Sequence, residues 1–117
     1  MILVKTKLFK TFDEVETSQD IRDKIENVLF SEHYKTFTLP FWQKGKILKR
    51  TVKFVMDDVD NWIYTSIIIW DSIKSYNECI THPIAQDIFK KLFKNGFEVE
   101  VKIKEISEMA KKMIFTS

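Results

Sequence analysis

The most apolar stretch of the chain runs from Asn61 to Trp70 and reads NWIYTSIIIW. It is rich in β-branched and aromatic side chains, which suit a pleated surface and lose rotamer freedom in a helix. A strand sends alternate residues to opposite faces. The face that carries the larger aromatics holds Trp62, Tyr64, Ser66, Ile68 and Trp70, and the other holds Ile63, Thr65, Ile67 and Ile69. Neither face is polar, so the pattern predicts a strand that is covered on both sides.

A helical pattern follows this strand, from Ile73 to Lys94. Asp71 or Ser72 can cap its start, because a short side-chain oxygen accepts from the free amides of a first helical turn. The sequence Thr81-His82-Pro83 interrupts it, and Pro83 fits best as the first residue of a second helical segment. Asn95-Gly96 predicts a left-handed end to that segment.

Three further strands are predicted from their patterns. Met1 to Phe9 is the first, and Phe97 to Glu105 alternates cleanly, with Phe97, Val99, Val101 and Ile103 pointing inward. Ile47 to Met56 places Leu48, Val52, Phe54 and Met56 on one face, with Arg50 among them.

The remaining segments complete the order of elements. A helix capped by Thr17 or Ser18 carries an apolar stripe of Ile21, Ile25, Val28 and Leu29. Tyr34 to Trp42 contains Pro40, which cannot donate to a central ladder, and is predicted to be an edge strand or a loop. Asp57 to Asn61 is predicted to be a hairpin connection and Ser107 to Phe115 a last short helix.

The resulting order, β-α-β-β-α-β, is that of a ferredoxin-like antiparallel sheet with helices on one face. We therefore expect an α+β domain over residues 1–105, with an extra edge strand, and a C-terminal helical extension over residues 106–117. Helices on one face leave the second apolar face of the central strand to another sheet, a second subunit or a ligand. A homodimer that pairs through the sheet face would cover it.

Composition narrows the function classes. The chain has 117 residues, 31% of them charged, and a net charge of +2, which gives no strong attraction to nucleic acid or to a membrane surface. A single cysteine, Cys79, favours a reducing compartment, and no apolar run reaches the roughly 20 residues that span a bilayer. A cytoplasmic protein is expected. Two glycines exclude a glycine-rich phosphate loop, and no metal-ligand spacing is present, so no cofactor or metal is expected.

One part of the chain resembles a known family. The segment from the end of the apolar strand through the broken helix is similar to antibiotic-biosynthesis-monooxygenase-like proteins. The residues that carry the similarity are Ile67-Ile68-Ile69-Trp70, Asp71-Ser72, the aromatic Tyr76, the break at Thr81-His82-Pro83, and Phe89 and Leu92. In that group a strand typically ends in Trp-x-Ser and a broken helix follows. The resemblance implies a dimeric α+β barrel, in which the bare sheet face packs against the partner's sheet. The group contains cofactor-free oxygenases, haem-degrading enzymes and proteins of unknown role, so the resemblance implies one of these roles.

The haem-degrading members use an asparagine on the first strand and a tryptophan and a histidine on the second helix. An ungapped alignment from Trp70 places Cys79 and Phe89 at the helix positions and Lys7 near the asparagine position. The resemblance therefore does not extend to haem degradation. The long stretch from Phe37 to Lys49 also departs from the family pattern.

Four residues are candidates for a site. His82 could act as an acid or base at the mouth of a cleft between sheet and helix, because its ordinary pKa lies near neutrality; the alternative is a helix cap or an exposed loop residue. Trp62, Tyr64 and Trp70 could line a pocket for a flat apolar molecule; the alternative is packing in the core or in a dimer. Cys79 has no neighbouring cation to stabilise a thiolate and is interpreted as a packing residue.

Two clusters offer weaker hypotheses. Phe41-Trp42 lies close to a run of basic residues, namely Lys44, Lys46, Lys49, Arg50 and Lys53, and could bind single-stranded nucleic acid if these form one surface. The alternative is an edge protected by lysines against aggregation. Asp57, Asp58 and Asp60 could attract a divalent cation, although turn chemistry explains them more simply.

The sequence therefore favours a small homodimeric α+β barrel that binds a small apolar or aromatic molecule, or a cofactor-independent monooxygenase-like enzyme. In the enzyme, Trp70 and Tyr64 would orient the substrate and His82 would move a proton. The alternatives are a non-catalytic dimeric interaction or regulatory module and, less well supported, a protein that binds single-stranded nucleic acid.

Overall fold

The computed structural model describes residues 1–11, 18–29, 31–56 and 61–107. It contains a four-stranded sheet in the order β2-β3-β1-β4, in which all neighbouring strands are antiparallel. The elements are β1 (Ile2–Thr11), α1 (Ser18–Leu29), α2 (Glu32–Gln43), β2 (Ile47–Met56), β3 (Asn61–Trp70), α3 (Ile73–Ile80), α4 (Pro83–Lys94) and β4 (Glu98–Glu105). This is the predicted ferredoxin-like α+β fold.

Helix caps confirm the predicted boundaries of the two helices that follow β3. Ser72 Oγ accepts from the amide of Ser75 at 3.2 Å and begins α3. His82 Nδ1 accepts from the amide of Ile84 at 3.1 Å, and Pro83 is the first residue of α4. Gly96 follows α4 with a φ of +87°, a backbone conformation that favours glycine.

The predicted extra edge strand, Tyr34 to Trp42, is wrong, because these residues belong to helix α2. Ser31 Oγ accepts from the amide of Tyr34 at 3.2 Å and caps this helix. Pro40 lies inside it and costs about 3 kcal/mol in a helix interior. That cost is offset because Tyr34, Phe37 and Phe41 recur at helical spacing and pack against the core under α2.

The core lies between the four helices and one face of the sheet, in two clusters. The first joins the buried side chains of Leu8 and Tyr64 to Ile21 and Ile25 of α1 and Leu92 of α4. The second, nearer the other end of β3, joins Ile2, Val4, Ile47, Trp70, Tyr76 and Cys79. Cys79 is thus buried among apolar side chains, as predicted.

Two details of the predicted faces need correction. The register of β2 against β3 shifts between Ile47 and Lys49, so Ile47 is buried in the core and Leu48 is the extra residue of a bulge. On β4, Phe97 is buried just before the strand, but Val101 and Ile103 are 41% and 48% exposed, because β4 is an edge strand that the described helices cover only at its start.

The opposite face of the sheet carries no described helix. Leu3, Ile63 and Ile67 are half-buried there, and Ile69 is buried between the neighbouring positions Leu3 and Lys49. No helix within the described ranges is long and apolar enough to cross a membrane. Most of the predicted C-terminal helix, Ser107 to Phe115, and most of the predicted hairpin connection before Asn61 lie outside the described residues.

Candidate functional site

A cavity of about 110 Å³ lies between the sheet and the helices, where the two core clusters meet. Its floor is formed by alternate residues of β1, β2 and β3, and its roof by α2, α3 and α4. At roughly 10–15 Å³ for each water, it has room for several waters or for one small organic molecule. Most of the lining is apolar, and a few polar groups converge on it.

Among the described residues of the cavity wall, Arg50 carries a charge. It reaches the cavity because it lies on the covered face of β2, opposite Ile68 of β3. Its Nη2 donates to Oη of Tyr64 at 3.2 Å, and its guanidinium carbon lies 5.3 Å from the centre of the Tyr34 ring. The second contact has cation–π geometry. The Arg50 guanidinium is therefore held between two tyrosines.

Both of these tyrosines stay protonated. Burial raises the pKa of the Tyr34 hydroxyl above its ordinary value, and the positive charge of Arg50 offsets only part of that rise. Burial likewise raises the pKa of Tyr64 against the opposing effects of the Arg50 charge and hydrogen bond. Near neutral pH the two phenols are neutral groups that can donate as well as accept a hydrogen bond.

Trp70 forms the floor near the end of β3. Its side chain is 3% exposed, and the Phe41 and Tyr76 rings pack edge-on against it, each with its centroid 5.8 Å away. The indole Nε1 is buried and has no hydrogen-bond partner within the described part of the chain. Such a donor costs about 1–3 kcal/mol when it is left unsatisfied, so this position favours an acceptor brought by a bound molecule.

Cys79 also lines the cavity, from helix α3. Burial raises the pKa of its thiol to about 11. Because the thiolate is the reactive form, this cysteine is not a nucleophile near neutral pH. Its thiol contributes packing next to Trp70 and Tyr76.

The structure brings together some of the residues predicted for the site and separates others. Tyr64 and Trp70 both line the cavity. Trp62 shares their face of β3 by register, but its side chain lies outside the described part. His82 is exposed, does not line the cavity, and caps α4 with its ring 4.9 Å from the Phe37 ring. The prediction that His82 moves a proton stays a prediction.

The predicted basic cluster does not form one surface. Arg50 enters the cavity, whereas Lys49 and Lys53 lie on the opposite face of β2. Lys46 pairs with Glu78, with Nζ 2.6 Å from Oε2, and lies over the Phe41 ring. The arrangement expected for a nucleic-acid interface is therefore absent from these residues. The predicted cation site, Asp57, Asp58 and Asp60, lies outside the described residues. Among the residues that the structure describes, no three acids, histidines or cysteines are grouped so that they could hold a metal ion.

Two contributors to the site were not predicted as such. The sequence pattern groups Arg50 with its basic neighbours, although the alternation of β2 places it among apolar residues. Pro40 favours a strand or loop for the segment that contains Tyr34, whereas the helical spacing of Tyr34, Phe37 and Phe41 indicates the helix that forms.

No family model matches the chain, and no curated protein matches it by sequence. Solved structures do resemble it. A candidate antibiotic biosynthesis monooxygenase from Deinococcus radiodurans is 13% identical, with a TM-score of 0.60, over 92% of this chain and 94% of that one. SnoaB, a cofactor-independent oxygenase from Streptomyces nogalater, is 11% identical, with a TM-score of 0.57 and the same coverage. A dimeric ferredoxin-like protein from an uncultured marine organism is 13% identical, with a TM-score of 0.59, over 91% and 95%.

These similarities confirm the predicted resemblance at the level of the fold. The chain has the ferredoxin-like fold of the antibiotic-biosynthesis-monooxygenase-like proteins, and the similarity extends over about nine-tenths of its length.

Proposed function

We propose that this protein is a small homodimeric α+β barrel protein that binds a small apolar or aromatic molecule in the cavity under its helices. The observation that carries the proposal is the cavity itself, which has aromatic walls and a few converging polar groups. Small-molecule sites are typically apolar hollows of this kind, with few polar groups that orient the ligand.

The homodimer part of the proposal is supported by the second face of β3. Ile63 and Ile67 are only half-buried there, and no described helix covers them. Two of the similar structures are of dimeric ferredoxin-like proteins. A second copy of the chain, packed sheet against sheet, would cover these residues on both protomers at once, as a two-fold symmetric interface requires.

Catalysis is the finer form of the proposal. SnoaB is a cofactor-independent oxygenase, and it shares this fold. In an enzyme of that type, the aromatic walls formed by Tyr64 and Trp70 would orient a flat substrate. The alternative is a non-catalytic interaction or regulatory module, for which a filled interior would be expected. The cavity therefore favours ligand binding over that alternative.

A cavity-filling variant tests the binding proposal. Ser66 is buried at the centre of the floor, and the neighbouring Thr65 points to the opposite face. Calorimetric titration with 2-naphthamide, a neutral aromatic probe, should show binding to the wild type. Ser66→Leu should weaken that binding at least tenfold, because the added methyl groups occupy the cavity.

The matched control is Thr65→Leu, which adds similar bulk on the other face and should leave binding unchanged. Circular dichroism should show that both variants are folded. Equal binding of the probe to the wild type and to Ser66→Leu would contradict the proposed location of the ligand.

A further inference from the structure

We propose that β4 pairs antiparallel with β4 of a second copy of this chain, in one register. In that register Glu98 faces Lys104 of the partner subunit, and Glu100 faces Lys102 of the partner subunit. The inference rests on the homodimer of the proposed function. It adds a second contact to that dimer, along the outer edge of the sheet, and determines how the two protomers are aligned along their strands.

The outer edge of β4 is free in the part of the chain that the structure describes. β4 pairs with β1 on one side and has no described strand on the other. Free strand edges pair readily with other chains, and natural proteins often protect them with prolines or bulges. β4 contains no proline, its register against β1 is unbroken, and its apolar side chains Val101 and Ile103 are 41% and 48% exposed. This edge is therefore open to a further strand.

The hydrogen bonds to β1 show which backbone groups of β4 point to the free edge. The amide of Ile106 donates to the carbonyl of Met1 at 3.1 Å, which continues the register of the ladder between the two strands. Hydrogen-bonded and non-hydrogen-bonded pairs alternate along an antiparallel ladder. The residues whose amides and carbonyls point outward are therefore Val99, Val101, Ile103 and Glu105. A second β4 can hydrogen-bond only in registers that place these residues opposite one another.

The charged side chains of β4 select one of these registers. On the sheet face away from the helices they occur in the order Glu98, Glu100, Lys102 and Lys104. Two antiparallel copies centred on Val101 place every one of these glutamates opposite a lysine. Moving the centre to Glu100 or to Lys102 places two like charges directly opposite each other. Opposite charges that face each other across strands stabilise a sheet, and like charges destabilise it.

The same register suits the other side of the edge. Val101 faces Val101 of the partner subunit, and Val99 faces Ile103 of the partner subunit, so each strand shelters exposed apolar side chains of the other. The charged residues fall at the non-hydrogen-bonded positions, where facing side chains lie closest. Backbone, charge and apolar contacts therefore agree on one alignment.

Lys102 supplies an independent observation. It lies beside Lys5, its direct neighbour on β1, and like charges in such a position repel each other. Its Nζ lies 3.3 Å from Oε1 of Glu100 in the same strand, but the pair is exposed to solvent, where ion pairs are weak. In the proposed register, Glu100 of the partner subunit lies opposite Lys102 and adds a second negative charge beside the two lysines.

The edge contact is compatible with the sheet-face contact of the proposed homodimer. Facing residues of antiparallel strands point to the same side, so the bare faces of both sheets lie on one side of the joined sheet. The two sheets can then curve toward each other and cover the half-buried Ile67 of each protomer. Both contacts thus belong to one two-fold symmetric dimer.

Charge reversal in two complementary variants tests the inference. The double variant Glu98→Lys, Glu100→Lys would face itself with lysines only, and Lys102→Glu, Lys104→Glu with glutamates only. In sedimentation velocity, each variant alone should dimerise about tenfold more weakly than the wild type. An equimolar mixture should form a heterodimer and recover most of the wild-type affinity, because every charge again faces its opposite. Labelling one variant with ¹⁵N lets native mass spectrometry distinguish the heterodimer from both homodimers.

The matched control is Glu26→Lys, Glu32→Lys, which makes the same change in net charge at exposed positions of α1 and α2 and should dimerise like the wild type. If the wild type is a monomer, the proposed homodimer and this inference are both wrong. If the wild type is a dimer and both reversed variants dimerise as tightly, the sheet-face homodimer stands and the β4 contact is wrong. If both are weakened but their mixture gives no heterodimer, the register is wrong.

Cross-linking through a single cysteine measures the register directly, in a Cys79→Ala background. Val101→Cys should form a disulfide-linked dimer under mild oxidation, because facing residues place their Cα atoms about 5.5 Å apart. Ile103→Cys should not, because it would lie about 13 Å along the strand from its own copy. Ile103 is the more exposed of the two side chains, so exposure alone predicts the opposite order. A faster cross-link at position 103 would overturn the register.

Discussion

The two faces of β3 are almost equally apolar in sequence but differ sharply in the structure. On the face toward the helices, Tyr64 and Trp70 are 4% and 3% exposed and border a cavity. On the other face, Ile63 and Ile67 remain half-buried, with no described helix above them. The apolar pattern therefore indicates that both faces are covered, but it does not indicate by what.

The two faces also differ in the polar and charged residues that the neighbouring strands place beside β3. Beside the covered face, Arg50 enters an otherwise apolar wall and contacts Tyr64. On the other face, Lys53 and Lys102 lie on the two edge strands, and Lys5 lies on an inner strand beside Ile67. Apolar residues with charged edges are typical of a surface that meets another protein, whereas an apolar hollow with a few polar groups is typical of a ligand site.

The largest effect is expected from a charge placed on the face away from the helices. Ile67→Lys should convert the proposed dimer to a monomer at micromolar concentration, because an unpaired charge buried in an interface costs about 3 kcal/mol or more. Sedimentation velocity measures the change. Val52→Lys is the matched control, because Val52 is 43% exposed on the helix side of the neighbouring strand, and it should stay dimeric.

Two outcomes would contradict the assignment of this face to a partner. A wild-type protein that sediments as a monomer would remove the dimer, and an Ile67→Lys variant that remains a dimer would place the interface elsewhere.

The next largest effect is expected on the free energy of unfolding, when leucine is replaced by alanine on either face of β1. Leu8 is 1% exposed in the core under the helices, whereas Leu3 is half-buried on the other face. Leu8→Ala should lower the free energy of unfolding by about 3 kcal/mol, because it leaves a cavity as well as removing apolar contact. Leu3→Ala should cost about 1 kcal/mol in dilute solution, where dimerisation contributes least.

Urea unfolding at several protein concentrations distinguishes these effects. The cost of Leu3→Ala should increase with concentration as the proposed dimer becomes populated, and the cost of Leu8→Ala should not. Equal, concentration-independent costs would show that the two faces are packed alike.

Alkaline pH tests how well the helices exclude water from the covered face. Burial raises the pKa of Cys79 from 9.0 to about 11, so between these values the unfolded chain loses its thiol proton while the native protein keeps it. The free energy of unfolding must therefore fall as the pH rises, by about 2 kcal/mol at pH 10.5. Below pH 9 this group should have no effect.

The buried tyrosines act in the same direction at higher pH, because burial also raises the pKa of Tyr34, Tyr64 and Tyr76. Comparison with Cys79→Ala isolates the thiol. The loss of stability between pH 8 and pH 10.5 should be smaller in the variant by about 2 kcal/mol. Identical losses in the two proteins would show that the thiol is open to solvent.

Most of the fold was predictable because its elements have strong local patterns. The β-branched and aromatic residues of β3, the alternation of β4 and the caps at Ser72 and His82 specify strands and helix starts without help from distant residues. Helix α2 was not predictable in that way. Its aromatic residues suit a strand equally well and Pro40 opposes a helix, so the decision comes from packing against residues distant in sequence.

The site was partly predictable for a related reason. Tyr64 and Trp70 belong to a strand whose β-branched and aromatic composition is visible in the sequence. Arg50 and Lys49 are adjacent in sequence and share a basic cluster there, yet adjacent residues of a strand point to opposite faces. The volume of a cavity depends on how the helices lie over the sheet, and no local pattern encodes that distance.

The smallest effect concerns His82, which lies at the helix ends above the covered face. As a cap, it accepts one hydrogen bond from the Ile84 amide, so His82→Ala should lower the free energy of unfolding by about 1 kcal/mol or less. His82→Asn, which keeps a capping acceptor, should restore most of that stability. Neither change should alter the affinity for 2-naphthamide by more than about twofold, because His82 does not line the cavity.

Calorimetry and urea unfolding on the same two variants separate a capping role from a role in the site. A cap changes stability and leaves binding alone, and asparagine can replace it. A group that contacts the ligand changes affinity, and asparagine cannot supply an imidazole in its place. A tenfold loss of affinity in both variants would therefore move the site from beneath the helices to their ends, where His82 and the Phe37 ring meet.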